Sequence, residues 1–537
     1  MTGATAAAID RIDGLFRDRV DQGIAPSSVW GVFDRNGLVA TGGHGDRGDG
    51  APPDADTVYR IASCTKSVTA ATLLSLVADG RVSLDAPITD FVPAFADVTL
   101  PTADSAVPTL RMLLTMSAGF PTDDPWGDRQ ESITDAELDA VLREGLLFDS
   151  VPGTGFAYSN LGYALLGRAV QVVAGRPFTE VASQVVLRPL GLDDTVFAAA
   201  DARGLVVTGA RRHDDAWEAL PLSGPGAFSP IGGLFSTVTN LSRWARHLSS
   251  AFASVVDPDG SAEPGPVSPA DRRTMQQAMR VIPGPAIPSA RRPIGYGFGL
   301  FVEQDDAVGP IVSHSGGYPG FSAHMRWSVH TGLGVVAFEN ATQAKVSVPT
   351  ETAHDLLLGI EPPVVRPSEA TRPPGTTPPG ATPPAVLPAT RAAQAAVTHL
   401  LAAWTAAPDT TGPDTTSTGT PAPDTTSTDT TSTDTETQHP AVPDRTHDPV
   451  AQAICSPNVP MDVPWDRRRS AALRAVAAVG ADVHADPVGE SSSAPTHLRW
   501  WLPGTAGRLR VEIRLAPLAS GLVQTLLVVA EPVERDR

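Results

Sequence analysis

Two stretches of this chain hold almost nothing that can be buried, and they decide how the rest can fold. From about Pro362 to Pro388, prolines deny the backbone its donors and the small polar residues between them offer no apolar surface, so the run reads as a linker. From Pro408 to about Asp448 the chain is low in complexity: Pro-Asp-Thr-Thr-Ser-Thr stands at 413–418 and again at 423–428, a composition expected to stay disordered. At 537 residues the chain is also longer than one hydrophobic core supports. The breaks divide it into a large domain at 1–360, a Pro-rich linker at 361–391, and an accessory domain at 392–537 carrying a disordered insert at about 408–448.

Hydrophobic patterning gives each part a character. The large domain opens with an amphipathic helix to about Asp21, then a hairpin in which Val29 to Phe33 and Leu38 to Thr41 flank Asn36-Gly37. Thr57 to Ile61 reads as a short strand, and a helical pattern runs from Ser63 through Val68, Leu73, Leu74 and Val77 to Gly80. Helices are expected at Leu110 to Met116, Asp135 to Leu147 and Leu161 to Val173, with strands at about 296–302, 311–314, 323–329 and 332–339. The result is an α/β body with a helical insertion. In the accessory domain, helical patterns through Val397 to Trp404 and Arg467 to Val479 precede strand-like runs at Leu498 to Leu502, Leu509 to Leu515 and Val523 to Val529, a small α+β unit.

Charge and cysteine usage narrow the function. A net charge of −19 repels phosphate backbones and anionic lipid surfaces, so neither nucleic acid nor membrane is an expected partner. The two cysteines, Cys64 and Cys455, cannot build a disulfide framework or a thiolate metal site, and no metal is expected. No basic, apolar leader and no spanning stretch is evident, which sets cytoplasmic as the expected location.

Of the 40 basic residues only Lys66 and Lys345 are lysines. A lysine can lose its proton when desolvated, whereas arginine stays charged, so a general base must be one of these two if it is cationic at all. Ser63-Cys64-Thr65-Lys66 sets a hydroxyl and an amine one helical turn apart, where a neutral Lys66 can take the proton of Ser63. The same spacing also suits a capping serine followed by a solvated lysine. Tyr158-Ser159-Asn160 ends a Gly-rich loop before an apolar helix; a phenol near an ammonium can ionise early, while Asn160 can equally be the helix cap. In Ser313-His314-Ser315-Gly316-Gly317 a strand runs into glycines that let a substrate reach the backbone, and the Ser63 and Gly317 amides can form an oxyanion hole. A plain hairpin turn fits that run too. Cys64, a thiol at a helix start, is a rival nucleophile.

The order and company of these runs resemble the serine β-lactamase, penicillin-binding-protein-like DD-peptidase and carboxylesterase superfamily, across about residues 5–360. The nucleophile block resembles Tyr59-Arg60-Ile61-Ala62-Ser63-Cys64-Thr65-Lys66, the second element Tyr158-Ser159-Asn160, and the third, commonly Lys-Thr-Gly or His-x-Gly, His314-Ser315-Gly316. Asp79 to Asp85, Gly232 to Thr237 and Tyr296 to Leu300 resemble supporting blocks. The block Leu113 to Phe120 departs from the family's Leu-Leu-Thr-His-Thr-Ser-Gly-Leu, with Met116 and Ala118 in place of its His and second Ser.

The resemblance implies a β-lactamase/transpeptidase-like fold, an antiparallel sheet flanked by helices with a helical subdomain. It implies an acyl-enzyme on Ser63 activated by Lys66 and Tyr158, with Asn160 orienting Lys66 and His314 bonding Tyr158 or the substrate and keeping the phenol's pKa low. Gly316 and Gly317 would lie along the substrate, and no cofactor is implied. Because His314 replaces a lysine that would hold a substrate carboxylate, a carboxylesterase-like activity on a small ester or amide is favoured. A β-lactamase or D-amino-acid peptidase is the alternative, and a silent binding or regulatory protein on the same fold the second. The sequence names no protein partner.

Overall fold

Seven of the eight residues from Ser27 to Asp34 are buried, as they must be in a strand covered on both faces. The computed structural model describes residues 3–253, 264–283, 292–360, 384–406 and 448–533. The linker expected at 361–391 lies outside the described residues up to 383, and the insert expected at about 408–448 lies outside them from 407 to 447.

In chain order the strands of the large unit are β1 (Ser27–Asp34), β2 (Gly37–Gly45), β3 (Tyr59–Arg60), β4 (Ala210–His213), β5 (Ala216–Ala219), β6 (Phe235–Ser236), β7 (Arg280–Val281), β8 (Ile294–Tyr296), β9 (Phe301–Asp305), β10 (Gly309–Tyr318), β11 (Phe321–Ser328) and β12 (Gly334–Glu339). Eight of them form one sheet in the order β2-β1-β12-β11-β10-β9-β8-β7, while β3 pairs with β6 and β4 with β5. Every adjacent pair in the large sheet is antiparallel. Alternation along β1 divides its side chains. Trp30 and Val32 pack with Ile12, Phe16 and Ala353 of the helices Gly3–Asp21 and Ser347–Leu358. Val29 and Phe33 join the larger core on the other face, with Leu73 of the helix Thr65–Ala78, Leu165 of Asn160–Ala174 and Trp244 of Val238–Ser249. The chain thus has the β-lactamase/transpeptidase-like architecture, and the helix Thr65–Ala78 is buried in the core that the sheet and the helices share.

The C-terminal unit is an antiparallel sheet of β13 (Gly489–Ser491), β14 (His497–Gly504), β15 (Gly507–Leu515) and β16 (Val523–Pro532). The helices Pro388–Ala406 and Trp465–Val479 supply Val397, Leu401, Trp404 and Val479 to a core of their own with Trp500 and Val511. The two cores touch: Leu146 bridges to Leu518, Leu147 N donates to Pro517 O at 2.8 Å, and Ala519 N to Gly145 O at 2.9 Å.

Local departures from expectation have local causes. The first hairpin turns on Arg35 and Asn36 rather than on Asn36-Gly37, because Asp34 Oδ1 captures the amides of Asn36 (2.7 Å) and Gly37 (3.1 Å) and lets Gly37 open β2. The single strand expected at 296–302 is two strands broken at Gly299, whose φ of +73° turns the chain against the nucleophile helix. A Cβ there would lie 2.5 Å from Lys66 O. The first C-terminal helix begins at Pro388, inside the expected linker, and the short edge strand β13 carries too little pattern to be foreseen.

Candidate active site

The chain reaches Ser63 through a residue of the wrong hand. Ala62 has φ +45°, an uncommon conformation for a residue with a Cβ, and its neighbours hold it there: β3 pairs with β6, and Ile61 N donates to Leu234 O at 2.9 Å. A tight 3₁₀ turn at Ala62–Cys64 then feeds the helix Thr65–Ala78. The helical spacing brings Lys66 Nζ to 3.0 Å from Ser63 Oγ. Ser63 is 8% exposed and Lys66 fully buried, so bulk water does not reach the amine.

Lys66 Nζ also lies 2.6 Å from Asn160 Oδ1 and 2.9 Å from Ile231 O. Burial brings its pKa down to about 8, against the pull of Asp124, Asp128 and Asp123. A neutral amine has two N–H donors and one lone pair. With the donors on Asn160 and Ile231, the lone pair faces the Ser63 hydroxyl.

Tyr158 closes the other side. Its ring centroid is 5.0 Å from Lys66 Nζ, and it stacks on Phe301 (6.3 Å, 8°). The expectation that a nearby ammonium would make this phenol acidic is overturned: burial and then Asp124 push it well above its ordinary value. Burial thus moves the two groups in opposite directions, the phenol up and the Lys66 amine down.

The role expected for His314 is corrected as well. It is 1% exposed, with Nε2 3.2 Å from Tyr296 OH and Nδ1 2.6 Å from Ser315 O, so Nδ1 donates and Nε2 accepts. Burial, reinforced by Lys66, lowers its pKa to about 3 and keeps the ring neutral. Both ring nitrogens are engaged within the protein, neither of them by Tyr158, and the His314 carbonyl accepts from Cys64 Sγ at 3.3 Å, tying β10 to the turn that carries Ser63. That thiol is wholly buried and pushed up to about 12, unsuited to attack.

Gly316 and Gly317 differ in what surrounds them. A Cβ on Gly316 would fall 2.1 Å from Ile61 O, whereas nothing lies within 4 Å of one on Gly317. β9 pairs β10 only from Gly309 to Ser313, so the edge beyond is open. The turn at 319–320 sets Tyr318 opposite Phe321, and strand alternation from that pair turns the Gly317 amide away from β11 toward the open edge.

Asn160 is not the helix cap; Ser159 is, its hydroxyl accepting from Gly162 N at 3.2 Å, which frees Asn160 to face Lys66. Behind it stands a loop that the sequence marks only by its three aspartates within residues 123–128. Asp123 accepts from Asn160 N (2.6 Å), Leu161 N (2.9 Å) and Ser159 Oγ (3.1 Å), and burial lifts its pKa to about 7. Asp124 Oδ1 accepts from Asn160 Nδ2 at 3.0 Å. Its side chain is open to solvent on one side, yet the protein around it still raises its carboxyl, as burial does more strongly for Asp128. The described residues contain no cluster of metal-ligating side chains and no helix long and apolar enough to cross a membrane.

A family model described as beta-lactamase matches residues 12–360. The D-alanyl-D-alanine-carboxypeptidase/endopeptidase AmpH of Escherichia coli (strain K12) is 32% identical over 212 residues, covering 38% of this chain and 52% of its own length. Esterase EstB of Burkholderia gladioli is 31% identical over 222 residues, covering 38% and 55%. The chain thus spans about half the length of these relatives. Among solved structures, the octameric penicillin-binding protein homologue from Pyrococcus abyssi superposes with a TM-score of 0.55 at 24% identity, covering 65% of this chain and 77% of that one, a likeness of fold.

Proposed function

The chain belongs to the beta-lactamase family, and on that footing we propose that it is a serine hydrolase that cleaves small esters, or amides, through an acyl-enzyme on Ser63. The observation that carries this reading is the buried amine of Lys66, 3.0 Å from Ser63 Oγ and with a pKa near 8. Lys66 takes the Ser63 proton as Oγ bonds to the substrate carbonyl carbon. The oxyanion is held by the Ser63 and Gly317 amides, and collapse expels the alcohol or amine, which leaves with the proton returned from Lys66 by way of the Tyr158 hydroxyl. Water then attacks the ester on Ser63 and gives its proton to Lys66, which returns it to Ser63 Oγ as the acid is released. Asn160 orients the amine, and His314 and Gly316 hold β10 against the nucleophile turn.

Electrostatics favour an ester, or an amide without a carboxylate, over a β-lactam or a D-alanyl peptide. His314 is neutral where a substrate carboxylate would call for a cation. A silent binding protein has no need of a desolvated amine in bonding distance of a serine hydroxyl.

The test is intact-mass analysis after exposure to a small fluorophosphonate ester. We expect one adduct on the wild type and none on Ser63→Ala. A folded wild type that takes no label would overturn the reading, and an adduct that survives Ser63→Ala would move the nucleophile elsewhere.

A further inference from the structure

The loop behind Asn160 is not held by the large unit alone. The two backbone groups that bracket Asp123 and Asp124 bond one side chain from β16, almost 400 residues away. Gln524 Nε2 donates to Thr122 O at 2.8 Å and to Leu515 O at 2.7 Å, and Gln524 Oε1 accepts from Trp126 N at 3.2 Å. Gln524 is 2% exposed, and its own carbonyl is steadied by Asn458 Nδ2 at 2.9 Å. A second tether follows in the same loop, where Arg129 Nη2 meets Asp462 Oδ1 at 2.7 Å. Backbone groups left without partners inside a protein are costly, so this loop conformation depends on what the C-terminal unit brings to it.

We propose that the C-terminal unit is a working part of the Ser63 site, and that Gln524 is the positioning residue through which it acts. The connection is continuous and short. Gln524 holds Thr122 and Trp126; Asp123 between them caps the backbone of Asn160 and Leu161; Asp124 holds Asn160 Nδ2; and Asn160 Oδ1 holds Lys66 Nζ. Each step is a hydrogen bond, so loosening the first loosens the orientation of the amine that faces Ser63. The C-terminal unit thereby does for Lys66 what a supporting shell does in any preorganised site.

The inference rests on Ser63 as nucleophile, and the experiment keeps the two apart. The rate of fluorophosphonate labelling is measured against pH for the full-length wild type, Gln524→Ala, Gln524→Glu and Arg129→Gln, with Thr496→Val as the control. Thr496 bonds Asp149 across the same pair of units (Oγ1 to Oδ2, 3.1 Å) but touches no part of the loop. Lys66 is faced by Asp123, Asp124 and Asp128 of the loop, by Glu131 beyond it, by Cys64 on its own turn and by His314 on β10. Only the loop carboxylates should move, and their retreat should shift the profile to lower pH.

We expect the Gln524 variants to lose about ten- to a hundredfold in plateau rate, with that acid shift, Arg129→Gln to change in the same direction, and Thr496→Val to label as the wild type does. Arg129→Gln alters a partly exposed tether and keeps the test open if a Gln524 variant fails to fold. Folded variants with the wild-type plateau and profile would overturn the inference while leaving the nucleophile in place; an unlabelled wild type would instead overturn the reading of Ser63 on which it rests.

Discussion

Lys66 is the residue on which the chemistry turns, and its environment sets a measurable signature. Desolvation favours the neutral amine, and the surrounding aspartates favour the ammonium; the balance lies near pH 8. Because the attacking state needs the neutral amine, the labelling rate should rise with pH and level off above about 8. A base role for Tyr158 predicts a different curve, climbing past pH 10, since burial and Asp124 raise the phenol. Lys66→Arg should abolish labelling by about three orders of magnitude or more, because a guanidinium cannot release its proton in this range. A plateau near pH 8 in wild type together with an active Lys66→Arg would reject the assignment. Scarcity makes Lys66 conspicuous in the sequence, but the direction of the Tyr158 shift does not show there: proximity to a cation is visible in a motif, whereas desolvation and the nearness of Asp124 depend on elements distant in the chain.

At the scale of elements, the site is an encounter between the nucleophile turn and the open end of β10, and adjacent glycines separate packing from catalysis. Gly316→Ala would set a methyl 2.1 Å from Ile61 O, against backbone that cannot move aside. We expect it to lower stability by about 1–3 kcal/mol, read as a lower Tm, and to slow labelling with it. Gly317→Ala meets nothing within 4 Å and should leave stability within about 0.5 kcal/mol, yet slow labelling by bulky esters more than by small ones. Equal effects of the two substitutions on Tm would contradict this division. Most of these elements were legible beforehand because their patterns are local: the apolar run of β1, the helix after Ser63, the glycines after His314. Those missed lacked a local signature. Gly299 breaks a promising strand to pass Lys66 O, and His314 looks free to reach a substrate until Tyr296 and Ser315 are seen to occupy both nitrogens.

For the whole molecule, the low-complexity runs told where packing stops, but no pattern announced that the two cores would join. Gln524 and Asp462 are unremarkable in sequence, and their partners lie hundreds of residues away. The junction combines apolar contact through Leu146 and Leu518 with Gln524, Thr496 and an ion pair of Arg467 with Glu218, which also meets Arg211. Units coupled in this way should unfold together, so calorimetry at pH 7 should give one transition. Acid should loosen the coupling. Arg467 and Arg211 draw the Glu218 carboxyl down to about 2, so its contribution is complete above the ordinary glutamate range near 4.5 and is lost as pH falls toward 2. The pair is partly exposed and contributes on the order of 1 kcal/mol or less, too little to hold the units by itself but enough to weaken a shared transition. Glu218→Gln at pH 7 should therefore broaden the transition toward the shape the wild type shows near pH 3, with Trp404 and Trp500 reporting the C-terminal core. Two separate transitions in the wild type at pH 7 would mean that the cores fold independently, and the dependence of the Asn160 loop on β16 would then have to survive without cooperative docking.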